Sequence, residues 1–239
     1  VLCLVGSEMC IRDRDERRDE FAQVISEEMG SPIKVARGAH FSSGKVHFVN
    51  TLKVIDDFSF SEIHDNITLN KLPIGPVGMI TPWNWPLNQM CTKIASAIAA
   101  GTSFVLKPSE ITPGAAQLFA EVADKSSMPQ GMFNLIHGYG ATVGKAMSQH
   151  NDLEMISFTG STRAGIDIQK TAADTIKRVS LELGGKSPNI ILDDVDLEKA
   201  VNMGMKQCFF NTGQSCSSPT RMLIPCLLYT SPSPRDTRR

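Results

Sequence analysis

Short apolar segments alternate with longer amphipathic segments through the middle of this chain, and this alternation restricts the possible folds most. Five short segments have the length and composition of buried strands: residues 77–81, 103–106, 133–136, 155–158 and 179–183. The segments between them place apolar side chains at helical spacing: residues 87–99, 112–124, 141–148 and 162–173. This alternation predicts βαβ units, so we expect an α/β fold in which helices flank a parallel sheet.

The sequence on either side extends this pattern. Residues 15–50 have a helical, amphipathic pattern, and residues 67–78 read as an extended segment interrupted by prolines. A further strand at residues 189–192 and a helix at residues 197–209 follow the fifth strand. We expect a domain boundary directly after Leu183, where the predicted parallel sheet ends.

The composition is typical of a globular protein and indicates no macromolecular partner. Apolar residues make up 41% and charged residues 21% of the 239 positions, and the formal net charge is −1. This balance lacks the basic excess that favours binding to nucleic acid or to an anionic membrane. No apolar run reaches the roughly 18 residues that span a bilayer. We therefore expect neither a nucleic acid nor a membrane as partner.

Both ends of the chain read as foreign sequence. Residues 4–14 (LVGSEMCIRDR) and 226–236 (CLLYTSPSPRD) can be back-translated into codons that are reverse complements of each other. Two ends that encode opposite strands of one DNA element are typical of a translated sequencing adapter. We therefore interpret residues 1–14 and 226–239 as adapter-derived and non-native, and the visible N-terminus as uninformative about targeting.

Three cysteines remain when both ends are excluded: Cys91, Cys208 and Cys216. Their wide spacing fits neither a disulfide framework nor a zinc site, which predicts no metal and a reducing compartment. Cys91 and Cys208 lie on apolar helical faces and are predicted to be core residues.

Cys216 ends the segment FFNTGQSC at residues 209–216, directly after a glycine-containing bend. A single cysteine is more often a small buried apolar residue than a nucleophile. The thiolate is the reactive form, and we expect the bend and a following helix N-terminus to expose the sulfur and favour that form.

Two further polar residues occupy positions where α/β proteins place chemistry. Glu182 lies at the carboxyl end of the fifth strand, and the glycine pair at residues 184–185 lets another group approach closely. Asn84 lies in PWNWP at residues 82–86, a rigid setting for a side-chain amide. Both also have ordinary structural explanations, since a strand-end glutamate is usually solvated and an asparagine often closes a turn.

No standard nucleotide-binding fingerprint is present. Gly138 and Gly140 are followed by Gly144, one residue too late for Gly-x-Gly-x-x-Gly, and a P-loop interpretation fails because Ser180 stands where its first glycine is required. The strand, turn and helix predicted at residues 158–165 (FTGSTRAG) are a better candidate, because free N–H groups at a helix N-terminus bind phosphate.

Five segments, in their order and spacing, resemble the aldehyde dehydrogenase superfamily: residues 81–86, 107–110, 158–165, 182–189 and 209–216. The resemblance covers roughly residues 21–225. It implies a Rossmann-like NAD(P)-binding domain at residues 15–183, with part of the oligomerisation extension near residues 50–75. Residues 184–225 would begin a second α/β catalytic domain. Because family members are much longer, we expect both domains to be incomplete and the chain by itself to be inactive.

The resemblance implies catalytic roles for three residues. Cys216 would be the nucleophile, Glu182 the general base that activates water, and Asn84 the oxyanion donor together with the N–H of Cys216. The resemblance also implies cofactor contacts in the loops at the strand ends. These positions are Thr81, Pro82, Trp83, Lys107, Ser109, Glu110, Gly140, Gly144, Phe158, Gly160, Ser161, Leu183 and Gly184.

The implied reaction is that of a non-acylating, NAD(P)-dependent enzyme. A small-molecule aldehyde would be oxidised to a carboxylic acid through a cysteine thiohemiacetal and thioester, with hydride transfer to NAD(P). NAD is expected in preference to NADP, because the Glu110 carboxylate would repel a 2′-phosphate. The resemblance further implies a cytoplasmic homodimer or homotetramer.

Alternative functions also fit part of the pattern. A CoA-acylating relative would pass the thioester to CoA, and Glu182 argues against it because acylating members commonly lack this residue. A non-catalytic fragment could keep the fold, although intact Cys216 and Asn84 argue against such a role for the complete protein. An enzyme of the glyceraldehyde-phosphate-dehydrogenase type would need a histidine beside the cysteine. The histidines lie in no recognisable motif of that kind: His40, His47, His64, His137 and His150.

Overall fold

The computed structural model describes residues 16–226, which pack as two compact units divided between Leu183 and Gly184. Each unit is described by itself. The segments interpreted above as adapter-derived, residues 1–14 and 226–239, lie outside the described residues except for Cys226.

The first unit begins with helices α1 (Arg18–Met29), α2 (Ile33–Val35) and α3 (Phe41–Asp57), and a π-helical turn (Ala36–His40) leads into α3. The predicted helical region over residues 15–50 is therefore not continuous, and the prediction is wrong in this respect. Helix α1 ends because Gly30 adopts a left-handed φ of 74°, and Pro32 then starts the next helical turn.

An antiparallel hairpin follows, with β1 (Ser61–His64) paired to β2 (Ile67–Asn70). The turn between the strands places Asp65 at a positive φ of 52°, a conformation that aspartate tolerates better than most residues. Most side chains of both strands are exposed, so the hairpin adds little to the core.

Five parallel strands form the central sheet of the first unit: β3 (Val77–Ile80), β4 (Phe104–Lys107), β5 (Phe133–Leu135), β6 (Met155–Gly160) and β7 (Arg178–Leu183). Their order across the sheet is β5-β4-β3-β6-β7, and every neighbouring pair is parallel. The predicted α/β fold with a parallel sheet is confirmed.

The connections between these strands are helical: α4 (Pro86–Ala100), α5 (Gly114–Asp124), a π-helical turn (Gly140–Gly144) with α6 (Lys145–Gln149), and α7 (Thr162–Ala173). Helix α4 begins with Pro86, and proline is tolerated there because N–H groups of the first turn have no acceptor within the helix. The helix ends at Gly101, which has a left-handed φ of 69°. The helix predicted at residues 141–148 is instead a π-helical turn followed by five α-helical residues.

Apolar side chains bury both faces of the sheet at its central strands, β3, β4 and β6. On β3, Val77 and Met79 belong to one core with the helices α1, α4 and α5, whereas Ile80 belongs to a second core with Ile156 and Phe158. The alternation follows from strand geometry, since successive side chains point to opposite faces. Burial on both faces explains why the strand sequences read as continuous apolar runs.

The order of the strands reverses beside β3. The chain moves outward from β3 to β4 and β5, then returns to place β6 and β7 on the other side of β3. The carboxyl ends of β3 and β6 therefore lie at the point where the strand order reverses, which is where open α/β sheets bind ligands.

The second unit contains β8 (Pro188–Ile190), α8 (Leu197–Phe209), a 3-10 turn (Phe210–Gly213) and β9 (Arg221–Leu223). The two strands are parallel, and α8 lies between them in the chain. Asp196 caps α8 by accepting a 3.1 Å hydrogen bond from the Lys199 N–H.

Candidate active site

The loop that leaves β3 carries four of the predicted site residues. Thr81 is buried, and its N–H donates to the carbonyl oxygen of Lys107 at 3.1 Å, which extends the pairing of β3 and β4 by one residue. Pro82 and Asn84 are half-buried, whereas Trp83 is exposed. Residues 83–85 form a bend that ends where α4 begins.

Lys107 and Glu110 meet at the carboxyl end of β4. The Lys107 ammonium group is buried and donates to the Pro108 carbonyl at 2.7 Å and to Glu110 Oε2 at 3.4 Å. Burial lowers the pKa of Lys107, although Glu110 opposes this effect. The pKa of Glu110 is lowered chiefly by its own backbone N–H and then by Lys107. Ser109 is also buried, and its Oγ accepts from the Ile111 N–H at 3.2 Å.

The loop after β5 approaches the same carboxylate. The N–H of Gly140 also lowers the pKa of Glu110, so the loops after β4 and β5 meet at this side chain. Gly138 has a φ of 145°, and a Cβ there would lie 2.4 Å from the side chain of Val143. Gly144 is buried at the end of the π-helical turn.

The turn from β6 into α7 presents a free helix N-terminus. Phe158 is buried and Gly160 ends the strand, after which Ser161 caps α7 by accepting from the Ala164 N–H at 3.3 Å. The first turn of α7 carries no acidic residue. Its N–H groups and helix dipole therefore favour an anion such as phosphate at this point.

Glu182 and Leu183 end β7, where Glu182 lies opposite Thr159 in the register of β6 and β7. Glu182 lines a cavity of about 350 Å³ together with Lys93 and Ser157. The Lys93 ammonium group donates to Ser157 Oγ at 2.8 Å. Burial lowers the pKa of Lys93 to about 8, while the Glu182 carboxylate acts in the opposite direction.

Sequence reasoning missed Lys93. The available signal was its position as the single charged residue of α4, whose other residues are apolar or uncharged. A lone lysine is usually a surface residue, so only the three-dimensional structure shows that this one lies beside the predicted base.

Cys216 lies in the second unit and is exposed. It occupies a turn closed by a 3.2 Å hydrogen bond from the Ser218 N–H to the Ser215 carbonyl. Gly185 lies against the backbone of this turn, since a Cβ there would be 3.5 Å from the Cys216 carbonyl oxygen. Gly184, a predicted cofactor residue, also lies in the second unit and is exposed.

The helix expected directly after Cys216 is absent from the part of the chain that the structure describes. Pro219 interrupts the chain three residues later, and β9 begins at Arg221, which leaves no room for a helix. The expected exposure of the sulfur is confirmed, as is the burial of Cys91, whereas Cys208 is only half-buried on α8.

The first unit thus brings most predicted cofactor residues to one edge of its sheet. Thr81 follows β3, Lys107 ends β4, Gly140 follows β5, and Gly160 and Leu183 end β6 and β7. Asn84 and Glu182 belong to this edge as well. A larger apolar cavity of about 490 Å³ in the same unit contains none of the predicted site residues.

Known sequences match nearly the whole chain. The sequence profile described as "Aldehyde dehydrogenase family" matches residues 11–231. A 3-succinoylsemialdehyde-pyridine dehydrogenase from a Pseudomonas species is 48% identical over 219 residues, which are 91% of this chain and 46% of that protein. The chain therefore spans about half the length of the curated relatives it matches.

Solved structures of aldehyde dehydrogenases also match this chain. An aldehyde dehydrogenase from Bartonella henselae superposes with a TM-score of 0.91 at 49% identity, over 95% of this chain and 48% of that one. Aldehyde dehydrogenase C from Pseudomonas syringae, solved as a cysteine-to-alanine mutant with NAD+ and octanal, gives a TM-score of 0.92 at 44% identity, over 94% and 46% of the two chains. Within residues 16–226 we find no helix that is both long and apolar enough to cross a membrane.

The environment of Lys93 predicts how stability changes with pH. Below about pH 8 the folded chain buries a charged ammonium group, and between about pH 8 and 10.5 it loses this proton while the unfolded chain keeps it. Replacing Lys93 by Met should therefore raise the free energy of unfolding at pH 7, on the order of 1–2 kcal/mol after the lost hydrogen bond to Ser157 is included. This gain should shrink as the pH rises toward 10.5, measured by urea denaturation.

Lys145→Met is the matched control, because Lys145 is exposed at the start of α6. It should show no gain that depends on pH. A Lys93→Met difference that stays constant from pH 7 to 10.5 would contradict the assigned environment.

Proposed function

Because the chain belongs to the aldehyde dehydrogenase family, we propose that the complete protein oxidises an aldehyde to a carboxylic acid with NAD as the hydride acceptor. The observation that carries this proposal is the carboxyl edge of the first unit's sheet. There Glu182 lies beside Lys93, Asn84 lies in the bend after β3, and a free helix N-terminus follows Ser161.

Cys216 is the proposed nucleophile. Its sulfur would attack the aldehyde carbon and form a thiohemiacetal, which then becomes a thioester. The exposure of Cys216, in a turn that follows the bend at Gly213, supports this role because the substrate must reach the sulfur. Cys91 is buried in α4 and packs in the core, whereas the exposed Cys216 does not serve as a core residue.

Asn84 is the proposed donor to the oxyanion that forms when sulfur attacks. Its amide would act with the backbone N–H of Cys216 and stabilise negative charge on the substrate oxygen. The bend that carries Asn84 is held at one end by the Thr81–Lys107 hydrogen bond and at the other by the first hydrogen bond of α4, from the Gln89 N–H to the Trp85 carbonyl at 2.9 Å. A donor held in this way needs little reorganisation during the reaction.

Glu182 is the proposed base for the second half of the reaction. Its carboxylate would take a proton from water, and the resulting nucleophile would release the acid from the thioester. Lys93 supports this role, because a lysine whose pKa is about 8 can exchange a proton near neutral pH in the cavity that Glu182 also lines.

The residues at the sheet edge fit a dinucleotide. The N-terminus of α7 suits the diphosphate, and the paired Lys107 and Glu110 suit a ribose, since one donates to and the other accepts from its hydroxyl groups. When bound, NAD supplies the hydride acceptor that the oxidation requires. Relatives solved with NAD+, including a betaine aldehyde dehydrogenase from Staphylococcus aureus, support this choice.

Substitution of the two catalytic residues should have different effects on turnover in the complete protein. Cys216→Ala should lower the steady-state rate more than about 10³-fold while cofactor affinity stays nearly the same, because the proposed mechanism uses no other nucleophile. Glu182→Gln should still form the acyl-enzyme but release acid slowly. Stopped-flow absorbance should then show a burst of NADH followed by a low steady rate.

Cys208→Ala provides the control, because this half-buried cysteine lies on α8 and has no proposed role in the chemistry. It should retain activity. Substantial turnover in Cys216→Ala would reject the thiolate mechanism, and an unchanged steady rate in Glu182→Gln would remove Glu182 from it.

The carboxylate of Glu110 should determine which nicotinamide cofactor is used. A 2′-phosphate placed near this charge is repelled, so the complete protein should have a higher kcat/KM with NAD than with NADP. Glu110→Gln should reduce that ratio about tenfold, which corresponds to about 1.4 kcal/mol. Glu154→Gln, at the opposite edge of the sheet beside β6, should leave the ratio unchanged. A native ratio that favours NADP would reject the assignment.

We further propose that the complete protein is a homodimer or homotetramer in a reducing, cytoplasmic compartment. Exposed apolar side chains on and beside the hairpin, Ile63, Ile67 and Leu72, support association, and the free cysteines of residues 16–226 are compatible with a reducing environment.

Sedimentation should give a dimer or tetramer that Leu72→Glu dissociates. Ile176→Glu, in an exposed loop, should leave the assembly intact, and a native monomer would contradict the proposal.

A further inference from the structure

His40 lies in the interior of the first unit and makes an aromatic contact with the bend after β3. Its side chain is fully buried, and its imidazole ring stacks on the indole of Trp85, with the ring centroids 4.2 Å apart and the planes inclined by 24°. Trp85 is the residue directly after Asn84. None of the roles described above uses this histidine.

The bend after β3 is a short irregular segment between two regular elements. Residues 83–85 lie between the last residue of β3 and the first of α4, and Trp85 has a φ of −139° and a ψ of 64°, outside helical values. Pro82 and Pro86 restrict φ at two points. Between them, stacking on Trp85 fixes the plane of a large side chain and, with it, the backbone next to Asn84.

His40 is itself held firmly in place. It ends the π-helical turn Ala36–His40, and its carbonyl oxygen accepts from Ser43 Oγ at 2.8 Å. A π-helical turn inserts one residue into an α-helical path and so rotates the side chain that follows onto another face, and such turns occur often at functional sites. The neighbouring residues Ala36 and Phe41 are buried in the core.

We propose that His40 is a positioning residue for Asn84. It holds the indole of Trp85 in one orientation and thereby fixes the backbone from which the Asn84 amide reaches the substrate oxygen. This inference rests on the proposed function, in which Asn84 stabilises the oxyanion. A displacement of about 1 Å can cost about 10²-fold in rate, so loosening the bend should be nearly as harmful as removing a donor, which costs about 10²–10³-fold.

A double-mutant cycle in the complete protein tests the coupling. His40→Ala should lower kcat at least about tenfold with a smaller change in KM, because the affected interaction acts on the transition state. His40→Phe keeps a stacking ring and should recover most of this loss. In an Asn84→Ala background, His40→Ala should lower kcat no further, since no amide remains to be positioned.

Phe48→Ala is the matched control. Phe48 is equally buried and stacks on Phe119 with centroids 6.0 Å apart, yet it belongs to α3 and does not contact the bend through this stack. It should lower thermal stability but leave kcat within about twofold, and its effect should multiply with that of Asn84→Ala. Independent, multiplicative effects of His40→Ala and Asn84→Ala would overturn the proposal, as would a His40→Phe variant as slow as His40→Ala.

Fluorescence of this 239-residue chain tests the contact without activity. The chain has two tryptophans, so Trp83→Phe leaves Trp85 as the sole tryptophan, whose emission is then followed by selective excitation. Adding His40→Ala should shift its emission to longer wavelength, whereas adding His40→Phe should not. An unshifted spectrum in the alanine variant would overturn the stacking itself. An unchanged kcat in Asn84→Ala would instead reject the oxyanion role in the proposed function, even where the fluorescence shift is seen.

Discussion

The parallel pairing of β3 with both β4 and β6 is the constraint on which the arrangement of the first unit depends. Ile80 lies opposite Lys107 on one side and opposite Phe158 on the other. Backbone hydrogen bonding between the strands therefore places their carboxyl ends side by side. The three loops that follow these strands leave the sheet next to one another. The same register continues into β7, where Thr159 lies opposite Glu182. Residues separated by a hundred positions in the sequence reach one edge because backbone pairing aligns the strands that carry them.

Close packing of helices against this sheet reinforces the alignment. A Cβ on Gly78 would lie 2.7 Å from the side chain of Ile156, and one on Gly165 would lie 2.8 Å from Leu183. The absence of a side chain at Gly165 lets α7 approach β7, which sets the distance of the helix N-terminus from the strand ends. These two glycines are therefore explained by contact distance rather than by backbone conformation.

The sequence was sufficient to predict the parallel sheet and most of the helices that flank it. Helix α7 and α8 begin and end where the apolar periodicity places them, at residues 162–173 and 197–209. The π-helical turns were not predictable in this way, because a single inserted residue barely changes the spacing of apolar side chains. The prediction of a helix after Cys216 was wrong for a different reason. Pro219 interrupts the chain and β9 begins at Arg221, so no room is left for a helix.

Lys93 and His40 could not have been recognised from the sequence, because their significance comes from neighbours that are distant in the chain. Lys93 is 64 residues from its hydrogen-bond partner Ser157, and His40 is separated from Trp85 by the whole of α3 and the hairpin. His40 is fully buried, and Lys93 is half-buried with a pKa that burial lowers. Such burial costs free energy unless the group is partnered, so it is expected where a polar group has a role beyond packing.

The backbone before Cys216 also adopts a conformation that costs free energy. Asn211, Thr212 and Gly213 all adopt left-handed φ values between 54° and 77°, which glycine accepts readily, asparagine tolerates and threonine disfavours. The bend is held by its own contacts: Thr212 Oγ1 donates to the Asn211 carbonyl at 2.7 Å, and the Gln214 N–H donates to the same carbonyl at 3.1 Å. Strain of this kind persists only where surrounding contacts enforce it, and it is concentrated at functional sites. The residues NTGQ therefore specify the shape of the turn that exposes the sulfur of Cys216, the proposed nucleophile.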